Sequence, residues 1–224
     1  MISSVVFDLF GTLTGGEARR NVHVASLAEI LGADAQALNE WLRSTYDERA
    51  RGVFGGVREQ IVAMSEHVGG STDPSVIDEA VAIRMDGQLA VLAPRTGTLE
   101  VLRALRDRRL PVGVLSDCTA EIPALWPDSP YAPLVDAAVF SCEVGTRKPD
   151  PRMYATVLSR LGATVECSLY VGDGGSSELT GASAVGMRAV LLRIEEERHF
   201  RADEEQNWHG ETIGDLESVL TLLD

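Results

Sequence analysis

Three stretches of this sequence end short apolar runs on side chains able to do chemistry. In Val5-Val6-Phe7-Asp8-Leu9-Phe10-Gly11-Thr12-Leu13 an apolar run closes on a carboxylate, Asp8, and a Gly-Thr turn follows. That pattern fits a buried strand of a parallel sheet, and open sheets of this kind carry their chemistry at the carboxyl ends of their strands. Asp8 then stands where a nucleophile would, or it is an Asp that merely ends a strand. Pro111-Val112-Gly113-Val114-Leu115-Ser116-Asp117 is a second run, whose terminal Ser116 hydroxyl could hold a phosphoryl oxygen. Leu169-Tyr170-Val171-Gly172-Asp173-Gly174-Gly175-Ser176-Ser177-Glu178 is a third, with two acids among small residues. Asp8 and Asp173 at the ends of neighbouring strands would form a hard oxygen cluster of the kind that holds magnesium. Taken singly, a strand-end Ser or Asp is an ordinary turn residue.

The basic residues narrow the choice. Of twenty Lys and Arg, nineteen are Arg and the single lysine is Lys148. Lysine offers a compact point charge on a thin stem, able to touch a carboxylate and an anionic substrate together, where arginine presents a wide fork. Lys148 lies in Gly145-Thr146-Arg147-Lys148-Pro149-Asp150-Pro151, where Asp150 suits a helix cap and Pro151 a first turn. The ammonium therefore sits just before a helix start, itself friendly to anions.

In order and spacing these segments resemble the haloacid dehalogenase-like hydrolase superfamily, with Asp8 in its first motif, Ser116 in the second, Lys148 in the third and Asp173 with Glu178 in the fourth. The likeness covers nearly all of residues 1–190, and Thr146 to Met187 reads like the phosphatase-type branch. The resemblance implies that Asp8 attacks phosphorus to form an aspartyl-phosphate. It implies Mg2+ held by Asp8, Asp173 and the main-chain carbonyl of Phe10. Lys148 would steady Asp8, while Thr12, Ser116, Asp117 and Lys148 would meet the substrate. Glu178 would partner the metal's waters or Lys148. The superfamily spans phosphatases, phosphomutases, phosphonate hydrolases, dehalogenases and transport ATPases, so function has to come from the site.

One position departs from the phosphatase pattern. Where most such phosphatases carry a second Asp, two residues after the nucleophile, as general acid and base, this chain has Phe10. Losing such a group forfeits about 10²- to 10⁴-fold in rate. Three readings follow: a magnesium-dependent hydrolase of small phosphorylated metabolites that favours good leaving groups, a metal-free 2-haloacid dehalogenase, or a protein that binds phosphorylated ligands without turnover. Asp-x-aromatic-Gly-Thr is the dehalogenase form. Against it, that subfamily would place Ser-Asn at the second motif and Ser-Ser-Asn-type residues at the fourth, where this chain has Ser116-Asp117 and Gly172-Asp173-Gly174-Gly175. A buried extra carboxylate without a cation is costly, so Asp173 favours the metal-dependent reading.

The elements that must position these residues form an interrupted βα alternation. After the strand Val5–Asp8, four helices are expected at about 17–31, 34–50, 57–68 and 74–91. A helix at 97–109 follows, then strands near 111–116, 135–140, 168–172 and 188–193, a stiff loop through Pro123-Pro127-Pro130-Pro133, and a helix near 215–223. The expected fold class is α/β, a doubly wound parallel sheet of Rossmann type with an inserted α-helical cap domain. Residues 1–13 and 93–224 form the core domain and 14–92 the cap. The strand pieces Val5–Asp8 and Val112–Ser116 would then be sheet neighbours. Arg19, Arg20, Trp41, Tyr46, Arg51 and Phe54 could face the site from the cap, although Trp41 and Tyr46 at helical spacing also suit a core between helices.

The chain's gross properties agree. With 224 residues, 45% hydrophobic and 24% charged, it has the composition of an ordinary soluble enzyme. No apolar run reaches the ~18 residues of a membrane span, and no basic leader precedes the first strand, so a cytoplasmic location is expected. Cys118, Cys142 and Cys167 form no C-x-x-C pair and suit reduced thiols, with Cys118 a small packing residue. His23, His67, His199 and His209 have no metal-motif spacing. The net charge of −14 argues against nucleic acid or anionic membrane as partners. It leaves a small-molecule substrate captured by local charge, by a monomer or homodimer. The acidic run 195–205 reads as a solvated loop.

Overall fold

The computed structural model describes residues 2–15, 23–194 and 207–223. Arg19, Arg20, His199 and the run 195–205 lie outside the described residues. Six parallel strands make one sheet: β1 (Ser4–Phe7), β2 (Val112–Ser116), β3 (Ala137–Phe140), β4 (Ser168–Gly172), β5 (Arg188–Leu192) and β6 (Glu211–Ile213), in the order β3-β2-β1-β4-β5-β6. β1 runs between β2 and β4, with Val5 opposite both Val112 and Leu169. The first and second strand pieces are neighbours despite their separation in sequence.

The continuous apolar run of β1 follows from that central place, since both of its faces are covered. Val5 and Phe7 join Val114, Val171 and Val190 in a core closed by Val101, Leu102 and Leu105 of helix α6 (Thr98–Asp107). Val6 faces the opposite layer with Leu115, Tyr170 and Leu191. There Met153, Tyr154, Val157 and Leu158 of helix α9 (Pro151–Leu161) and Leu179 and Ala182 of helix α10 (Glu178–Val185) cover the sheet. The period-two alternation thus divides one strand between two layers.

Between Thr14 and Pro94, which pair in an antiparallel bridge, the described chain holds five helices and no strand. They are α1 (Val24–Leu31), α2 (Ala35–Ser44), α3 (Tyr46–Ala50), α4 (Val57–Val68) and α5 (Pro74–Val91). They bury a core of their own, built on Leu27, Leu31, Leu38, Trp41, Ile61, Met64 and Ile77. Trp41 and Phe54 pack edge to face inside this insertion at 5.4 Å, so both belong to its core.

Three expectations need correction, and one strand is additional to them. The helix expected at 34–50 breaks at Thr45, whose hydroxyl donates to the Trp41 carbonyl at 2.6 Å, a back-bond that competes with the helical ladder. The prolines of 123–133 do not make a plain stiff loop: α7 (Glu121–Leu125) and two tight turns, Trp126–Asp128 and Ala132–Leu134, form there, with proline early in each turn where its missing N–H is harmless. The expected closing helix is only a tight turn, Glu217–Thr221, too short to nucleate an α-helix. Edge strand β6 was not expected, because Glu211 and Thr212 are exposed and only Ile213 is buried, which leaves no apolar alternation to read.

Candidate active site

The sheet reverses direction around β1: the chain adds β2 and β3 on one side of it, then β4, β5 and β6 on the other. That is the topological switch point where open α/β sheets bind ligands. Asp8 leaves the end of β1 there, its N–H donating to the Val171 carbonyl at 2.9 Å. The chain then turns tightly, closed by the Thr14 N–H on the Leu9 carbonyl at 2.9 Å, with Gly11 at φ +80°. A Cβ at Gly11 would lie 2.0 Å from Asp173 Oδ2, so only glycine lets the turn approach the end of β4. Arg95 fixes the turn from behind, donating to the carbonyls of Gly11 (2.7 Å), Thr12 (3.1 Å) and Thr14 (3.2 Å).

The expected site residues meet at this switch point. Lys148 Nζ lies 2.6 Å from Asp8 Oδ1 and 2.5 Å from Glu178 Oε2, and 3.4 Å from the Tyr170 hydroxyl. Thr12 donates its hydroxyl to Asp8 Oδ2 at 3.1 Å, which orients the carboxylate. Glu178 accepts from the Tyr170 hydroxyl at 2.8 Å and the Gly174 N–H at 3.0 Å. A Cβ at Gly172 would lie 2.0 Å from Glu178 Oε1, so the glycine that ends β4 clears space for that carboxylate. Asp117 accepts the Lys148 backbone N–H at 3.0 Å and the Arg147 Nε–H at 3.3 Å, so its carboxylate braces the loop that carries Lys148. Asp150 caps α9 through the Arg152 N–H at 2.9 Å and fixes the same loop from the other side. The Ser116 hydroxyl is fully buried and has no hydrogen-bond partner among the described residues.

Electrostatically this end of the cleft is short of positive charge. Asp8, Asp173 and Glu178 each offer a carboxylate oxygen within 4.8 Å of the others, against one ammonium. Burial disfavours the charged lysine, but Asp8 and Glu178 outweigh it and hold the Lys148 pKa well above its ordinary value. Burial and then the Asp8 charge push Glu178 up to about 8, with Lys148 pulling the other way. Burial and then Glu178 likewise raise the Tyr170 hydroxyl. For Glu178 and Tyr170 the leading cause is burial, with a neighbouring carboxylate adding to it. An all-oxygen, net-negative donor set fits a hard divalent ion such as Mg2+, and Asp8 and Asp173 with the Phe10 carbonyl are the groups that would hold it.

Phe10 faces the other way. It packs against the main core and lines a cavity of about 450 Å³ between the strand ends and helices α2, α3 and α5. Tyr46 and Arg49 line the same cavity, while Arg51 pairs with Asp47 at the surface at 2.7 Å. Tyr46 donates its hydroxyl to the Asp117 carbonyl at 3.3 Å, and Arg147 crosses to Asp47 at 2.8 Å and lies 5.0 Å from the Tyr46 ring. The helical insertion is therefore joined to the loop that carries Lys148. Arg49, Arg84, Arg95, Glu121 and Tyr170 were not singled out from the sequence. Of these only Tyr170 left a local signal, a polar-tipped ring inside a strand of aliphatic residues.

Comparisons with known proteins agree with this geometry. A family model for haloacid dehalogenase-like hydrolases matches residues 2–186. The chain is 26% identical over 201 residues to a glyceraldehyde 3-phosphate phosphatase of Methanopyrus kandleri, covering 86% of this chain and 84% of that protein. A namesake from Methanocaldococcus jannaschii is 24% identical over 229 residues, covering 100% and 97%. In fold, the chain is similar to a 2-haloacid dehalogenase from Pseudomonas syringae pv. Tomato, with a TM-score of 0.72 at 24% identity and coverage of 100% and 98%. With its motifs in register on a six-stranded parallel sheet and the family model spanning most of its length, this chain belongs to the haloacid dehalogenase-like hydrolases.

Proposed function

We propose that this hydrolase is a magnesium-dependent phosphatase of small phosphorylated metabolites that works through an aspartyl-phosphate on Asp8 and favours good leaving groups. The observation that carries the reading is the grouping of Asp8, Asp173 and Glu178, of which Asp8 and Glu178 share a single lysine. In a metal-free dehalogenase that surplus of carboxylate, with Asp8 and Glu178 buried and Asp173 half-buried, would only cost stability. The relatives named as phosphatases support the same choice.

Asp8, oriented by Thr12 and Lys148, attacks phosphorus as the bond from phosphorus to the leaving oxygen breaks. The leaving group departs with its electron pair. Lys148 and the Ser116 hydroxyl meet the charge on the equatorial phosphoryl oxygens, and the hydroxyl's want of a protein partner suits it to donate there. Water then attacks the acyl phosphate at phosphorus, releasing inorganic phosphate and restoring the Asp8 carboxylate. When bound, Mg2+ supplies charge neutralisation and in-line alignment of the phosphoryl group. Phe10 has no proton to give, so the leaving oxygen takes its proton from water. Rate then depends steeply on leaving-group pKa, which favours acyl phosphates and aryl esters. Asp117 braces the Lys148 loop and presents its backbone to the substrate.

Residues 14–92 serve in this reading as a cap whose cavity accepts the leaving group. The test is hydrolysis of acetyl phosphate and p-nitrophenyl phosphate with magnesium, with EDTA and with Asp8→Asn, beside chloride release from 2-chloropropionate. Activity lost in EDTA and in Asp8→Asn is expected. Halide release that resists EDTA would overturn the reading in favour of the dehalogenase that Phe10 suggests.

A further inference from the structure

The cavity beside Phe10 is basic in a chain of net charge −14. Arg43, Arg49 and Arg84 line it and, among the described residues, no carboxylate does. Its floor includes Phe10, two residues past Asp8, and Cys118, two past Ser116, so it opens directly beside the phosphoryl site.

Two of the arginines differ in how their charge is met. Arg84 is bound by Glu121 at 2.6 Å, and both side chains are largely buried. Arg49 is only 3% exposed and makes no ion pair among the described residues. It donates through Nε to the Thr45 hydroxyl at 3.2 Å and through Nη2 to the Leu42 carbonyl at 2.5 Å, and lies near the rings of Trp41 (5.6 Å) and Tyr46 (6.0 Å). These contacts leave Nη1 without a hydrogen-bond partner among the described residues. Burial and the neighbouring Arg84 bring its pKa down to about 10 against the pull of the Glu121 carboxylate, so the group is still charged at neutral pH. A neutral amide could brace Thr45 and Leu42 equally well without the cost of desolvating a charge, so bracing alone does not account for an arginine here.

Resting on the phosphoryl-transfer reading, we propose that the substrate carries a second anionic group, a carboxylate or a second phosphoryl, on its leaving-group side, and that this group docks on Arg49 with Arg84 and Arg43 beside it. The substrate class is thus a small phosphate ester or anhydride of an anionic alcohol or acid. Arg49 sets the specificity, and Glu121 holds Arg84 in place. No covalent step is added.

Binding of non-hydrolysable probes to the full chain in excess magnesium tests this without turnover. The probes are phosphonoacetate, with a carboxylate tail, methylenebisphosphonate, with a second phosphonate, and ethylphosphonate, with a neutral tail. At least one anionic tail is expected to bind about 10- to 100-fold more tightly than the neutral one, the scale of a charge-assisted contact made in a desolvated pocket. The tighter of the two names the source of the anion. Arg49→Gln should remove most of that preference, and Arg49→Lys should keep part of it. Because Arg49 is packed inside the insertion, Gln88→Glu gives an independent variant: it sets a carboxylate on the same cavity wall without touching the contacts of Arg49, and should weaken the anionic probes selectively. Equal binding of all three probes, or a preference that survives both Arg49→Gln and Gln88→Glu, overturns the inference and leaves the phosphoryl reading intact. Binding of none of the three overturns both.

Discussion

The two ends of the cleft, meeting at Phe10, have opposite charge deficits. At the strand ends, Asp8, Asp173 and Glu178 lie together and one lysine pairs with two of them. Under the helical insertion, three arginines line a cavity and one carboxylate, Glu121, answers them. Neither deficit is a surface effect, because Lys148, Glu178, Arg49 and Glu121 are all buried. A folded chain tolerates such an imbalance where a ligand relieves it. The first end suits a cation and the second an anion, which is the contrast that the proposed divalent metal and doubly charged substrate rest on.

The contrast can be broken from either side, and the largest effect is expected at the nucleophile. Asp8→Asn should lower kcat on acetyl phosphate at least about 10³-fold while the far-ultraviolet spectrum is unchanged, because it removes the attacking group and leaves its shape. Retention of a tenth of wild-type activity in that steady-state assay, on the order of one decade of loss, would remove Asp8 from the chemistry. Lys148→Met deepens the negative imbalance. It should cost about 3–5 kcal/mol of stability, the scale of breaking a buried ion pair, and magnesium should restore part of the loss in a denaturant titration. If magnesium fails to stabilise the variant, the carboxylates are not a cation site.

Phe10→Asp adds the missing acid at the boundary between the two ends. It should raise turnover of alkyl phosphates by about 10²-fold and flatten the dependence of rate on leaving-group pKa. A slope as steep as that of the wild-type protein would show that protonation does not limit the reaction. Gly11→Ala forces a Cβ onto Asp173 at an unfavourable φ, costing about 1–3 kcal/mol, and should raise the magnesium concentration that half-saturates activity. The smallest effect concerns Asp150, whose carboxyl the Arg152 side chain holds well below the usual 3.8. Its stabilising contribution is present above that unfolded value and is lost as pH falls through the lower folded one. Asp150→Ala should therefore cost about 1 kcal/mol at pH 7, the value of a helix N-cap, and progressively less in acid.

The residues legible in the sequence are those that local pattern marks. Asp8, Ser116 and Asp173 each close an apolar run, and Lys148 stands out in a composition otherwise given to arginine. The doubly wound sheet and the helical interruption followed from the order of periodicities. What stayed hidden is made by contacts across long separations. Arg95 reaches carbonyls more than eighty residues earlier, and nothing beside it in the sequence hints at a clamp. Arg84 meets Glu121 across the cleft, and Arg49 gains its meaning only when α2, α3 and α5 enclose it. The break at Thr45 was missed because a Thr that turns its hydroxyl back on the helix reads, in sequence, like one that does not. Edge strand β6 was missed because three residues with one buried side chain carry no period.

The central claim is that Asp8 becomes phosphorylated. Acid quench of the magnesium-loaded protein during turnover of acetyl phosphate, followed by mass spectrometry of the peptide containing Asp8, reads that claim directly, with a parallel sample incubated with 2-chloropropionate and EDTA. The account predicts a phosphoryl adduct on Asp8 in the first sample, absent when magnesium is withheld, and no adduct in the second. A propionate ester on Asp8 in the second sample and no phosphoryl adduct in the first would contradict it.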